Sequence, residues 1–118
     1  MEKFFVKLPL TGEYLTTVRL TTGGLCALAG FDVDTAEDFK VCVTESLLIL
    51  KRNGYQNATI DFSVGEALGC VVCGEASGEA ETEAFENEIS RALLEALLGK
   101  VEFVENATGK VEKIVFES

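Results

Sequence analysis

The sequence predicts an α+β fold, a two-layer α/β sandwich with helices on one face of a mostly antiparallel or mixed sheet. Three observations predict it. Apolar residues recur at helical spacing in three stretches, two of them adjacent in the chain. Short β-branched runs come in pairs joined by turn residues, as at Val64-Gly65-Glu66 and Asn106-Ala107-Thr108-Gly109. The resulting order is β-α-α-β-β-α-β-β, in which helices fall between segments able to form hairpins. The 118 residues suffice for a single domain with one core. A 47% hydrophobic and 25% charged composition is that of a globular chain.

Lys3 to Leu8 (KFFVKL) reads as a strand ended by Pro9. A helix follows from about Thr11, with Leu15, Val18, Leu20, Leu25, Leu28 and Ala29 toward one face. Gly23-Gly24 is expected to interrupt it, through a bend or a close approach of another helix, at about 1 kcal/mol per glycine relative to Ala. Gly30 stops it. Asp34-Thr35-Ala36-Glu37 reads as an N-cap with a Glu three residues on, opening a second helix that ends at Asn53-Gly54. Ala58 to Val64 and Leu68 to Cys73 form a hairpin. Gly74 to Glu86 is acidic and small, beginning as a loop and passing into a third helix. That helix carries Phe85, Ile89, Leu93, Leu94, Leu97 and Leu98 at helical spacing and is capped by Gly99. Val101 to Val104 and Val111 to Phe116 close the chain as a hairpin.

The formal charge of −10 argues against nucleic acid and against an anionic membrane surface, both of which need clustered Lys and Arg. No run approaches the ~20 apolar residues of a membrane span. The apolar run in MEKFFVKLPL is too short for a secretory leader, so the cytoplasm is the expected location. Cys70 and Cys73 form a C-x-x-C, but within Leu68-Gly69-Cys70-Val71-Val72-Cys73 the context is a strand. Residues three apart on a strand point to opposite faces, and the chain has no histidine. Core cysteines are therefore expected, with a thiol redox or metal module as the alternative.

The second helix holds an awkward acid. Glu45 sits between Val41-Cys42-Val43 and Leu47-Leu48-Ile49-Leu50, with no basic residue three or four positions away. Its expected place is a solvated or rim position. The helix is apolar nearly all round, so a neighbouring helix must cover its far side or the helix must serve a homodimer interface.

Val18-Arg19-Leu20, Glu37-Asp38-Phe39-Lys40, Val43-Thr44-Glu45-Ser46 and Asn53-Gly54-Tyr55 resemble motifs of the anti-sigma-factor serine kinases, members of the histidine-kinase-type ATPase superfamily. A weaker likeness covers Leu93 to Val104 and the closing hairpin. The resemblance implies a histidine-kinase-type ATPase-like domain over residues 1–118, a nucleotide site using ATP and magnesium, and sigma factors or anti-sigma antagonists as partners. It also implies that Glu45 stands at the position of the general base. The magnesium-ligating Asn position is Ile49, which offers no oxygen. The Asp-x-Gly-x-Gly loop that reads adenine falls on Gly74 to Gly78, with Gly74 for the Asp and Ala76 for the first glycine. The second glycine turn falls on Glu88-Ile89-Ser90. The stretch after Cys73 is too short for the usual ATP lid. The expectation is a degenerate, catalytically inactive relative that has no catalytic, cofactor-binding or metal residues and acts by protein binding. The alternative is an ATP-binding serine kinase with a divergent site.

Overall fold

The computed structural model describes residues 2–77, 84–98 and 100–118. Strand β1 is Glu2–Pro9, followed by helices α1 (Gly12–Leu28) and α2 (Val33–Arg52). Strands β2 (Tyr55–Val64) and β3 (Leu68–Ser77) precede α3 (Ala84–Leu97), and β4 (Val101–Glu105) and β5 (Val111–Glu117) end the chain. The element order is the one the periodicity predicts. The five strands form one sheet in the order β1-β2-β3-β5-β4, with every neighbouring pair antiparallel.

Antiparallel register puts paired residues on the same face. One row runs Phe4, Phe62, Cys70, Phe116 and Val101, and the next runs Val6, Ile60, Val72, Ile114 and Phe103. These rows face α2, which packs on β2, β3 and β5. Phe39 of α2 is nearly fully buried and meets Phe116 at 5.3 Å and Phe31 at 6.0 Å between ring centroids. Burying one such ring contributes about 2–3 kcal/mol. The rows between them carry Lys3, Phe5, Lys7, Asp61 and Lys113, leaving the other face largely polar.

Both α1 and α3 pack against α2. They and the sheet account for its nearly all-round apolar surface without a dimer contact along α2. Helix α1 runs unbroken through Gly23-Gly24. A Cβ at Gly23 would make only ordinary contact with Lys40, and one at Gly24 would meet nothing within 4 Å, so neither glycine bends the helix or seats a neighbour.

The cap of α2 differs from the sequence expectation. Asp32, not Asp34, is the N-cap, and its carboxylate accepts from the Thr35 N–H at 2.8 Å. The cause lies upstream. Helix α1 ends in a Schellman motif: Phe31 N–H donates to the Cys26 carbonyl, Gly30 N–H to that of Ala27, and Gly30 takes φ +78°. Phe31 then docks on Phe39, which leaves Asp32 as the first extended residue able to cap. Glu37 pairs instead with Lys40. Two strands also run longer than expected. Strand β2 starts at Tyr55, and the segment 74–77, expected as a loop, continues β3 through pairs such as Ala58 with Gly74 and Tyr55 with Ser77. The expected cap at Gly99 and the loop at 78–83 lie outside the described residues.

Candidate functional site

Glu45 stands on the half-buried outer stripe of α2 with Val41, Thr44 and Leu48. It is not simply a solvated rim residue. The hydroxyl of Ser90, on α3, donates to Glu45 Oε2 at 2.6 Å. Ser90 is only 2% exposed, and its oxygen accepts from the Arg52 guanidinium at 2.9 Å. Arg52 also reaches the Glu86 carbonyl and Asn87 Oδ1, each at 3.4 Å. The direction is consistent along the chain of bonds: Arg52 donates to Ser90, and Ser90 donates to Glu45. The bonds tie the middle and the last residue of α2 to one turn of α3. On the α1 side, Arg19, Val41, Thr44 and Glu45 line a depression of about 110 Å³. Small-molecule sites usually occupy about 300–1,000 Å³.

Ile49, the position of the magnesium ligand in the resemblance, is fully buried in the core. Its carbonyl accepts from the Asn53 side chain at 2.8 Å, and Asn53 Oδ1 accepts from Val111 N–H at 3.1 Å. Asn53 thereby ties the end of α2 to the start of β5. Gly54 takes φ +93°, and the chain turns directly into β2.

Gly74, the position of the adenine-reading Asp, lies under the Tyr55 ring. A Cβ built there would fall 2.5–2.7 Å from three ring carbons. A side chain at 74 would therefore require the Tyr55 ring to move from where it lies. Tyr55 is itself buried, and burial raises the pKa of its phenol. Ala76 holds φ +57°, the one positive φ at a non-glycine position among the described residues. It stands at the first glycine of the Asp-x-Gly-x-Gly pattern and keeps a left-handed backbone that glycine adopts more readily.

The second glycine turn maps to Glu88-Ile89-Ser90. These residues lie inside α3, which begins at Ala84. Their backbone N–H groups therefore fall beyond the first turn, where helical pairing uses them. A phosphate needs the free N–H groups of a helix start. Glu88 points to solvent and Ser90 into the α2 contact.

The C-x-x-C behaves as a strand pair. Cys70 lines up with Phe62 and Phe116, and Cys73 with Thr59 and Lys113, on the opposite face. Burial raises all four thiol pKa values, that of Cys42 to about 12 and that of Cys70 well above the usual range. That opposes thiolate reactivity. Among the described residues no three Cys, Asp or Glu side chains converge as a metal site would require. Nor is any described helix long and apolar enough to cross a membrane.

Sequence reasoning located Glu45, Ile49 and Gly74 but missed the Ser90–Arg52 link and the Tyr55 ring, whose partners lie far along the chain. No family model matches the chain. Serine-protein kinase RsbW of Bacillus cereus strain B4264 is 30% identical over 89 residues, 75% of this chain and 51% of that protein. The RsbW of strain AH187 is 33% identical over 55 residues, 47% of this chain and 34% of that protein. The RsbW of Bacillus anthracis strain CDC 684 / NRRL 3495 is 29% identical over 89 residues. The chain spans about half the length of the curated relatives it matches over 89 residues. Motifs, element order and these matches agree, and the chain is a distant relative of the anti-sigma-factor serine kinases of the histidine-kinase-type ATPase superfamily.

Proposed function

We propose that this protein is a catalytically inactive regulator that keeps the kinase-like fold and acts by binding a protein partner, of the sigma-factor or anti-sigma-antagonist class. The observation that carries the reading is the Tyr55 ring on Gly74, where a Cβ would come within 2.5 Å of ring carbon. Adenine recognition needs a carboxylate at that position; Gly74 has none, and the ring fills the space one would enter. Three further observations support it. Ile49 supplies no oxygen ligand and is committed to the core. Residues 88–90 lie inside α3 rather than at its start. Glu45 accepts a hydrogen bond from Ser90, so the candidate base is engaged by its own chain. The residues at these positions do not fit ATP with magnesium, and no catalytic step is assigned to them. In this reading residues 1–118 act as one degenerate ATPase-like domain without a lid. It works in a reducing compartment such as the cytoplasm, which suits four unpaired cysteines. A homodimer remains part of the reading.

Isothermal titration with ATP and magnesium is the direct test. The expected result is no heat of binding at protein concentrations of about 100 μM, well above a micromolar Kd. A micromolar Kd would sink the proposal and restore the reading of an ATP-binding serine kinase with a divergent site, Glu45 acting as base.

A further inference from the structure

Helix α3 has an unusual solvent pole. At about 100° per residue, Phe85, Ile89, Ala92 and Ala96 fall within roughly 60° of one another, on the side opposite Ser90 and Leu94. Ser90 and Leu94 are buried, whereas Phe85 is 71% and Ile89 53% exposed, and both alanines are exposed. A helix lying on a core should be polar at this pole. Here an apolar ridge about 16 Å long runs along it. Exposed Glu88 and Glu95 flank the ridge on one side and exposed Glu86 on the other. The one basic residue of α3, Arg91, is turned away: it stacks over Phe103 at 4.4 Å and pairs with Glu105 at 3.3 Å.

We infer that the outer ridge of α3 docks a basic amphipathic helix of another protein. The apolar side of that helix would cover Phe85 and Ile89, and its Lys or Arg residues would meet Glu88 and Glu95. Three turns of ridge match the i, i+4, i+7 spacing by which helices recognise one another. The charge selects the occupant. A second copy would bring the same three glutamates against themselves, on a chain of net charge −10. A basic helix gains attraction from those glutamates and covers the ridge as well. The inference rests on the reading of the protein as a partner-binding regulator and gives that partner a docking face.

The test uses the full chain and a fluorescent, about 15-residue Leu/Lys peptide with Leu at helical spacing, read by anisotropy without nucleotide. Two substitutions on the ridge, Ile89→Asp and Phe85→Asp, remove apolar contact at exposed positions, and their fold is checked by circular dichroism. Leu20→Asp on α1, at a residue 76% exposed, is the control. The expected result is a micromolar Kd for the parent, weakened roughly tenfold or more by Ile89→Asp and unchanged by Leu20→Asp. Binding should also weaken as salt rises from about 0.1 to about 0.5 M. The inference is overturned if the parent does not bind the peptide or if Ile89→Asp binds as the parent does. Equal binding of a Lys peptide with Ser in place of Leu also overturns it, as does a parent dimer, seen by light scattering, that Ile89→Asp dissociates. The functional reading fails separately: ATP binding by the parent defeats it, while loss of the peptide in Ile89→Asp would still assign the ridge.

Discussion

In the proposed reading, the two sides of the nucleotide position are closed by different physics. On the sheet side, Tyr55 lies on Gly74, and the closure is one of shape: ring carbon stands where a Cβ would be. On the helix side, Arg52, Ser90 and Glu45 form a directed chain of hydrogen bonds between α2 and α3. A steric closure responds steeply to added volume and hardly to solvent conditions. A polar closure responds to loss of a donor and tolerates small changes of shape. In that reading a site is given up piecewise, each part turned to whatever stabilises its own neighbourhood. What Glu45 holds in the fold is the hydroxyl of a neighbouring helix.

The largest expected effect is at the steric side. Gly74→Ala should lower stability by about 1–3 kcal/mol, the usual cost of overpacking, and Gly74→Asp by more, because the new carboxylate is also desolvated. Urea denaturation measures both. A cycle with Tyr55→Ala separates the ring contact from any backbone effect, since Gly74→Ala should cost almost nothing once the ring is gone. Equal cost in both backgrounds would mean that the ring does not guard this position.

A smaller loss is expected at the polar side. Ser90→Ala leaves Glu45 without its donor and Arg52 without one of its acceptors in a half-buried contact, and should cost about 1–2 kcal/mol. Ser90→Thr keeps the hydroxyl and should recover part of that loss. Glu45→Gln, which keeps an acceptor but drops the charge, should cost less than Ser90→Ala. If Ser90→Ala is neutral, the hydrogen bonds do not hold α3 to α2, and the comparison reduces to its steric half.

The element order was legible in the sequence because it depends on local periodicity, which each stretch carries by itself. Hence the two adjacent helices and the two hairpins could be read without knowing what they touch. The start of α2 was less legible: Asp32 and Asp34 both suit a cap, and the choice is made by the docking of Phe31 on Phe39. Gly74 looked like loop because glycine and glutamate disfavour strands. It is held in β3 by pairing with Ala58, a residue sixteen positions earlier. The candidate site was half legible. Ile49 and Gly74 could be seen to lack the needed side chains, but what fills their surroundings could not. Ser90 lies forty-five residues from Glu45, and no spacing rule links them. The outer ridge of α3 was hidden differently. Phe85 and Ile89 share the helical spacing of Leu93, Leu94 and Leu97, so they read as core until the fold put them on the far side.

Ala76 gives the smallest effect. Its φ of +57° keeps the backbone bent in the left-handed sense at the first glycine position of a pattern whose Asp position is Gly74. An alanine in that region is strained by about 1 kcal/mol relative to glycine. Glycine, in turn, makes the unfolded chain more flexible and gives back part of the gain. Ala76→Gly should therefore stabilise the protein by only about 0.5 kcal/mol in urea denaturation, whereas a glycine inside an ordinary strand would destabilise it. The sign is what matters. A gain would mean that the left-handed bend persists in solution after the glycine has gone, and that backbone shape outlasted the side chains on this side of the site. A loss would mean that the segment 74–77 relaxes to regular strand, leaving Tyr55 on Gly74 as the whole of the steric closure.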